Sequence, residues 1–221
     1  MTTPNPRISV IMPPLLKERP GSTKNPEKKF IRSVRSFLDA HARYPNSQLC
    51  IISDGCSATN RIISTEFKQF MGGAIKLFKL PPRLDGSLFV GSTRQYGIDR
   101  ADGDILCNLD ADDYIMPNHL KNIAVTCNPS THDWWWHNCI RKLDNLKDVE
   151  EIVDIKPEIG SLCTTSVIWK KGLDVTWNGA DGIFDNRLFN RQLLSKYPNR
   201  QKIYGASYVI AHANFSIPQT I

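Results

Sequence analysis

The 221-residue sequence contains no uninterrupted apolar run near the roughly 20 residues that a membrane-crossing helix needs. Its N-terminus, MTTPNPRISVIMPP, has an apolar patch of only a few residues before two prolines, too short for a secretory signal. A soluble, cytoplasmic protein is the expectation. CxxC pairs are also missing: Cys50, Cys56, Cys107, Cys127, Cys139 and Cys163 are scattered. That argues against a zinc site or a disulfide framework and for reduced, buried thiols. Internal repeats and low-complexity tails are absent too, so a single domain over residues 1–221 is expected, with 41% hydrophobic residues to build its core.

Acids are fewer than bases, 22 against 28, for a formal charge of +6. The excess is uneven. Residues 17–43 carry Lys17, Arg19, Lys24, Lys28, Lys29, Arg32, Arg35 and Arg43, and residues 187–202 carry Arg187, Arg191, Lys196, Arg200 and Lys202, whereas residues 144–158 are mostly acidic. Basic faces of this kind attract phosphates. The plainer alternative is a solvated, solubilising surface.

Turning to what is present, RISVIM at residues 7–12 is β-branched and apolar without alternation, as a strand covered on both faces should be. Asn25-Pro26-Glu27 predicts a helix start with Asn25 as the cap, followed by a face of Phe30, Val34, Phe37 and Leu38 that runs out before Pro45. Strands are expected at 48–53, 75–80 and 104–109, with helices at about 60–70 and 93–101 between them. Alternating strands and helices imply an α/β fold with a mostly parallel sheet flanked by helices. In such sheets ligands bind beyond the carboxyl ends of the strands, here Pro13, Asp54 and Asp110. Beyond Pro117 the pattern predicts a helix to about residue 127, a strand at 132–140, a helix at 145–153, a helix at 181–196 and a last strand at 206–211.

The most informative stretch is LCNLDADDY, residues 106–114, where an apolar run delivers Asp110, Asp112 and Asp113 together. Like charges a few ångströms apart repel by about 1 kcal/mol even in water, so a positive partner is expected. At a strand end Asp110 and Asp112 should project to one side, roughly 6 to 7 Å apart at the backbone. That spacing suits one Mg²⁺ or Mn²⁺ carrying a diphosphate. The alternative is a carboxylate-rich turn that caps the next segment.

GSTRQYGIDRADGDILCNLDADD, behind a first strand ending in proline and a second ending in Asp-Gly, resembles the nucleotide-sugar-dependent glycosyltransferases of the GT-A (Rossmann-like) fold, particularly family 2. The matching positions are Gly91, Arg94, Gly97, Ala101, Gly103, the strand 104–109 and Asp110 to Asp113, and the likeness covers residues 7–120. It implies a nucleotide-sugar-binding half at about 7–120 and an acceptor-binding half at about 121–221. By resemblance, Pro13, Asp54, Gly91, Arg94, Asp110 and Ala111 line the donor, most naturally a UDP-sugar. Asp54 would accept from the base, Arg94 would hold the nucleotide with its donor fork, and Asp110 would meet the ribose or the metal's water shell. Asp112 would bind Mn²⁺ or Mg²⁺ directly. Taken singly, Asp54 also fits an ordinary Asp-Gly turn and Arg94 a surface helix position. Where relatives place an aromatic and a small polar residue after the first-strand proline, this chain has Pro14-Leu15-Leu16 and a basic loop.

An inverting transfer needs a carboxylate base for the acceptor hydroxyl. The resemblance points to WNGADGIFDNR, where Asp181 is the base and Asp185 its competitor, with Ala180 standing where a first acid would be. Asp181 also fits a helix cap. His212, after a late apolar strand, is the expected further metal ligand, with a structural histidine as the alternative. Trp134-Trp135-Trp136 offers either a stacking surface or core, and strand alternation would set Trp135 opposite the other two.

The small, basic, stand-alone form is similar to the enzymes with which bacteriophages glycosylate hydroxylated pyrimidines in their DNA. A hydroxymethylated pyrimidine in duplex DNA is therefore the first acceptor expectation, in a host cytoplasm, and a saccharide or lipid-linked acceptor the second. A nucleotidyltransferase would want a Gly-rich phosphate loop after the first strand, which PPLLKERPGSTK fits only loosely. A catalytically inactive nucleotide-binding module is the other rival.

Overall fold

The structure is a computed structural model and describes residues 5–16, 25–81, 90–142, 150–177 and 184–211. Four strands form its first half: β1 (Ile8–Met12), β2 (Ser47–Asp54), β3 (Ile75–Leu80) and β4 (Ile105–Asn108). They pair in parallel in the order β3-β2-β1-β4. Every residue of β1 and β4 is buried, which is why their sequences are apolar without alternation. The sheet continues through β8 (Val167–Lys170), β6 (Trp134–Lys142), β9 (Arg200–Ile210) and the two-residue β5 (Tyr114–Ile115), with β7 (Glu150–Val153) on β6. Following the pairings across the sheet, β5, β7 and β8 run opposite to the other strands. The carboxyl ends of β1, β2, β3, β4, β6 and β9 therefore share one edge.

Helix α1 (Pro26–Arg43) lays Phe30, Val34, Phe37 and Ala40 on the core. Asn25 does stand at its cap position, but with φ 56° and no side-chain capping bond, so the expected cap is replaced by a left-handed turn that asparagine tolerates. Helix α2 (Ser57–Glu66) ends earlier than expected and passes into a 3₁₀ turn at Lys68–Phe70. Helix α3 (Val90–Arg100) explains two glycines of the motif. A Cβ on Gly97 would stand 2.4 Å from Ile52 Cδ1, and one on Gly103 would stand 2.6 Å from Ser9 N and Oγ. Both positions let α3 and its exit lie against the sheet.

Residues 150–153, expected in a helix, form β7 instead, because Ile140 and Cys139 of β6 offer Ile152 and Val153 an antiparallel partner. The short strands β5 and β8 escape sequence reading, since two and four residues show no period. After α4 (His119–Thr126), β6 buries Trp134 and Trp135, while Trp136 is half-buried with its Nε1 donating to Ile155 O at 3.1 Å. The triplet is core rather than a stacking platform, because β6 is covered on both faces. Helix α5 (Phe184–Lys196) brings Phe189 against Trp169 and Trp177, at ring-centroid distances of 5.1 and 4.2 Å. The six cysteines are free and mostly buried, and burial pushes the Cys50 and Cys107 thiols up to about 12, which keeps them inert at neutral pH. Among the described residues no helix is long and apolar enough to cross a membrane.

Candidate active site

Because β1 lies between β2 and β4, Pro13 at its end sits between Asp54 and Asp110 at theirs. A hydrogen-bonded path joins the two acids. Thr93 Oγ1 donates to Asp54 Oδ2 at 3.2 Å, and the next residue, Arg94, donates from a terminal guanidinium nitrogen to Asp110 Oδ1 at 2.8 Å. Thr93 and Arg94 lie near the start of α3, shortly after the buried Gly91. Gly55, at φ 65°, turns the chain away from Asp54 while its N–H donates to Leu80 O at 3.2 Å. The left-handed backbone there is what Asp-Gly supplies.

Arg94 is not a surface helix residue. Its side chain is 9% exposed, against 28% for Asp110, and its guanidinium carbon lies 5.1 Å from the centroid of the Trp177 ring. Its Nε is a buried donor with no partner among the described residues. Gln95 Oε1 also accepts from Trp177 N at 3.0 Å, so α3 grips the residue from which the WNGADG segment departs.

The three carboxylates of the DADD turn are reconciled by having different partners. Asp110 faces Arg94. Asp113 is 1% exposed and accepts from the Tyr208 hydroxyl at 3.0 Å and from Ala211 N at 2.9 Å. Asp112 and Ala111 are half-buried at the turn's apex. The backbone of the turn is held as firmly. Asp113 N and Ser33 Oγ both donate to Asp110 O at 3.1 Å, Arg32 donates to Asp112 O, and the Tyr208 oxygen accepts from Asp110 N at 3.0 Å. Arg32 also lies 4.9 Å from the centroid of the Tyr114 ring, so this basic residue is spent on the turn and not on a solvated face.

Burial, together with the Asp113 and Asp110 carboxylates, holds the Tyr208 hydroxyl well above the ordinary phenol range, so it keeps its proton and donates. Behind the turn, burial lowers His119 well below the usual imidazole value, with His137 adding to the effect, and burial lowers His137 as well. Both are neutral at pH 7.

Among the described residues no group of three or more His, Cys, Asp and Glu could hold a metal. What the turn offers is the oxygen chemistry of Asp112, with Asp110 beside it in sequence. One or two carboxylates completed by substrate phosphates and water is how Mg²⁺ and Mn²⁺ are commonly held, so these residues fit such an ion arriving with a diphosphate. Asp181 and His212 lie outside the described residues, as does the Asp185 side chain. Trp177, four positions before Asp181, packs on Arg94, and Ala211, bonded to His212, is tied to Asp113.

Sequence reasoning named Arg32 only within a basic run and did not single out Ser33, Thr93, Trp177 or Tyr208. Thr93 had a signal in its place beside Arg94, while Ser33 and Tyr208 reach the turn only through long-range packing.

The fold has solved counterparts. S. aureus TarS 1–349 in complex with UDP-GlcNAc superposes with a TM-score of 0.69 at 16% identity over 97% of this chain and 61% of that one. The same protein in complex with UDP gives 0.70 at 17% identity over 92% and 60%. The mannosyltransferase PcManGT from Pyrobaculum calidifontis, in complex with GDP-Man and Mn²⁺, gives 0.58 at 16% over 93% and 57%. The chain thus spans about three fifths of these proteins, and at such identities the likeness is one of fold. No curated protein matches the sequence. The model of glycosyl transferase family 2, however, matches residues 22–150, more than half the chain and the whole path from α1 through the DADD turn. The chain belongs to glycosyl transferase family 2.

Proposed function

We propose that this enzyme is a metal-dependent, inverting glycosyltransferase of the cytoplasm that moves a sugar from a UDP-sugar to a hydroxyl acceptor. The observation that carries it is the path Asp54–Thr93–Arg94–Asp110, which gathers the ends of β2, α3 and β4 at the carboxyl edge of a family 2 sheet. Nucleotide recognition by Pro13, Asp54, Gly91, Arg94, Asp110 and Ala111 is supported by that convergence and by the UDP complexes of TarS. Arg94 works mainly by orienting Asp110, since one guanidinium nitrogen is already committed to it. Asp112, with His212 next to the anchored Ala211, would hold Mn²⁺ or Mg²⁺, and PcManGT was solved with Mn²⁺. Such an ion, when bound, neutralises charge on the departing diphosphate. Asp181 takes the proton from the acceptor hydroxyl as its oxygen attacks the anomeric carbon and the bond to UDP breaks, with Asp185 as the alternative base.

The acceptor we propose is a hydroxymethylated pyrimidine in DNA, bound by the half beyond about residue 120. Support comes from Arg187 and Arg191, exposed four residues apart on α5 just after the segment holding Asp181. Three other residues of the two basic segments are already paired: Arg35 with Glu66, Lys196 with Asp174 and Lys202 with Asp154.

UDP release from a panel of UDP-sugars with Mn²⁺, with and without duplex DNA containing hydroxymethylated pyrimidines, tests both halves. Release stimulated by modified DNA and abolished in Asp112→Ala is expected. Wild-type turnover in Asp112→Ala would overturn the metal assignment, and full transfer by Asp181→Asn would move the base to Asp185. Release indifferent to DNA would turn the acceptor search to saccharides and lipid carriers.

A further inference from the structure

We infer that Asp113 and Tyr208 are positioning residues that lock the DADD turn onto β9 and thereby set how tightly the site takes up Mn²⁺ together with a nucleoside diphosphate. The inference rests on the metal-dependent function proposed above.

One oxygen closes the turn. The Tyr208 hydroxyl accepts from the N–H of Asp110, the first residue of the turn, and donates to the carboxylate of Asp113, the last. The second Asp113 oxygen takes the N–H of Ala211, three residues further along the chain from Tyr208. Asp113 is thus removed from contention as a metal ligand, although by spacing alone it stands as close to Asp112 as any acid can. Burying a carboxylate costs several kcal/mol unless its lone pairs are met, and an apolar pair of the same shape would pack without that cost. What the polar arrangement adds is direction: three bonds fix both ends of the turn relative to one strand.

That strand is itself immobilised. Tyr208 pairs with Cys139 of β6 on one side and with Ile115 of β5 on the other. Its ring lies against His119 and His137, at centroid distances of 6.1 and 6.2 Å, and His119 Nδ1 is 2.7 Å from Oγ of the neighbouring Ser207. Ser33 and Arg32 of α1 in turn hold the carbonyls of Asp110 and Asp112. The turn is therefore gripped between α1 and β9 with Asp112 at its apex. Metal sites require placement to within about 0.5 Å, and loss of a partner behind the ligands typically costs about 10- to 100-fold in metal affinity.

The experiment is a titration of Mn²⁺ into the protein with UDP, followed by the electron paramagnetic resonance of free Mn²⁺, for wild type, Tyr208→Phe and Asp113→Asn. Each variant should weaken Mn²⁺ by at least about tenfold, and in turnover assays the apparent Mn²⁺ constant should rise by more than kcat falls. Asp113→Asn keeps the shape and the acceptor for Ala211 N, so it remains informative if Tyr208→Phe does not fold. Gly103→Ala serves as the control: it strains the opposite edge of the sheet and should lower Tm without moving the Mn²⁺ constant. Variants within twofold of wild type, in a wild type that binds Mn²⁺, would overturn the inference and leave the proposed function standing. A wild type that takes up no Mn²⁺ with UDP would overturn both.

Discussion

Replacing Arg94 with methionine probes the contact that joins α3 to Asp110 in the proposed donor site. The Arg94 to Asp110 bond is 2.8 Å long, with the arginine side chain 9% exposed and the aspartate 28% exposed. Removing one partner of a fully buried ion pair costs about 3 to 5 kcal/mol. Here water can reach part of the orphaned Asp110, which lowers the expectation to about 2 to 3 kcal/mol. Methionine keeps the stem that packs toward Trp177, so lost volume contributes little. For a chain of this length that corresponds to a fall in Tm of roughly 4 to 12 °C. Urea unfolding of Arg94→Met, Asp110→Asn and the double variant isolates the pair: the double should be less destabilised than the sum of the singles by about 1 to 2 kcal/mol. UDP affinity should fall in each single and little further in the double, because either change releases Asp110. Additive stabilities, or Arg94→Met within about 0.5 kcal/mol of wild type, a difference ordinary for a surface substitution, would refute the reasoning.

Two further outcomes follow from burial. His119 and His137 are held neutral when folded, so below their ordinary value of about 6.5 the unfolded chain binds protons that the folded chain refuses. Stability should be intact above that pH and fall as pH drops below it, by up to about 1.4 kcal/mol per unit per histidine; a urea midpoint unchanged between pH 7 and 5.5 would contradict this. Gly103→Ala should cost about 3 kcal/mol or more, since its Cβ meets backbone rather than a yielding side chain, and a Tm within about 2 °C of wild type, less than one kcal/mol for a chain of this size, would show that the strand and turn can part freely.

The first half of the fold was legible because β1, β2 and β4 are buried on both faces and β3, at the edge, is half-buried. Short, largely apolar runs at 8–12, 47–54, 75–80 and 105–108 read as strands when helical periods separate them. Their parallel order also dictates that Pro13, Asp54 and Asp110 reach a common edge. The second half was less legible. β8 and β5 are too short to carry a period, and β7 takes its form from the exposed flank of β6. Trp135 was expected opposite Trp134 and Trp136, yet being opposite does not mean being exposed when both faces are covered.

The sequence by itself determined the α/β class, the family motif with its glycines, and the carboxylates at the strand ends, because these are local: residue type, period and spacing suffice. Only the tertiary structure decided how three crowded acids coexist. Arg94, sixteen residues before Asp110, neutralises the first, and Tyr208 and Ala211, almost a hundred residues after Asp113, bury the last. Asp112 stays half-buried at the apex between them. Charge balance in a turn depends on which distant groups the packing brings within about 3 Å, and separation along the chain carries no trace of that distance.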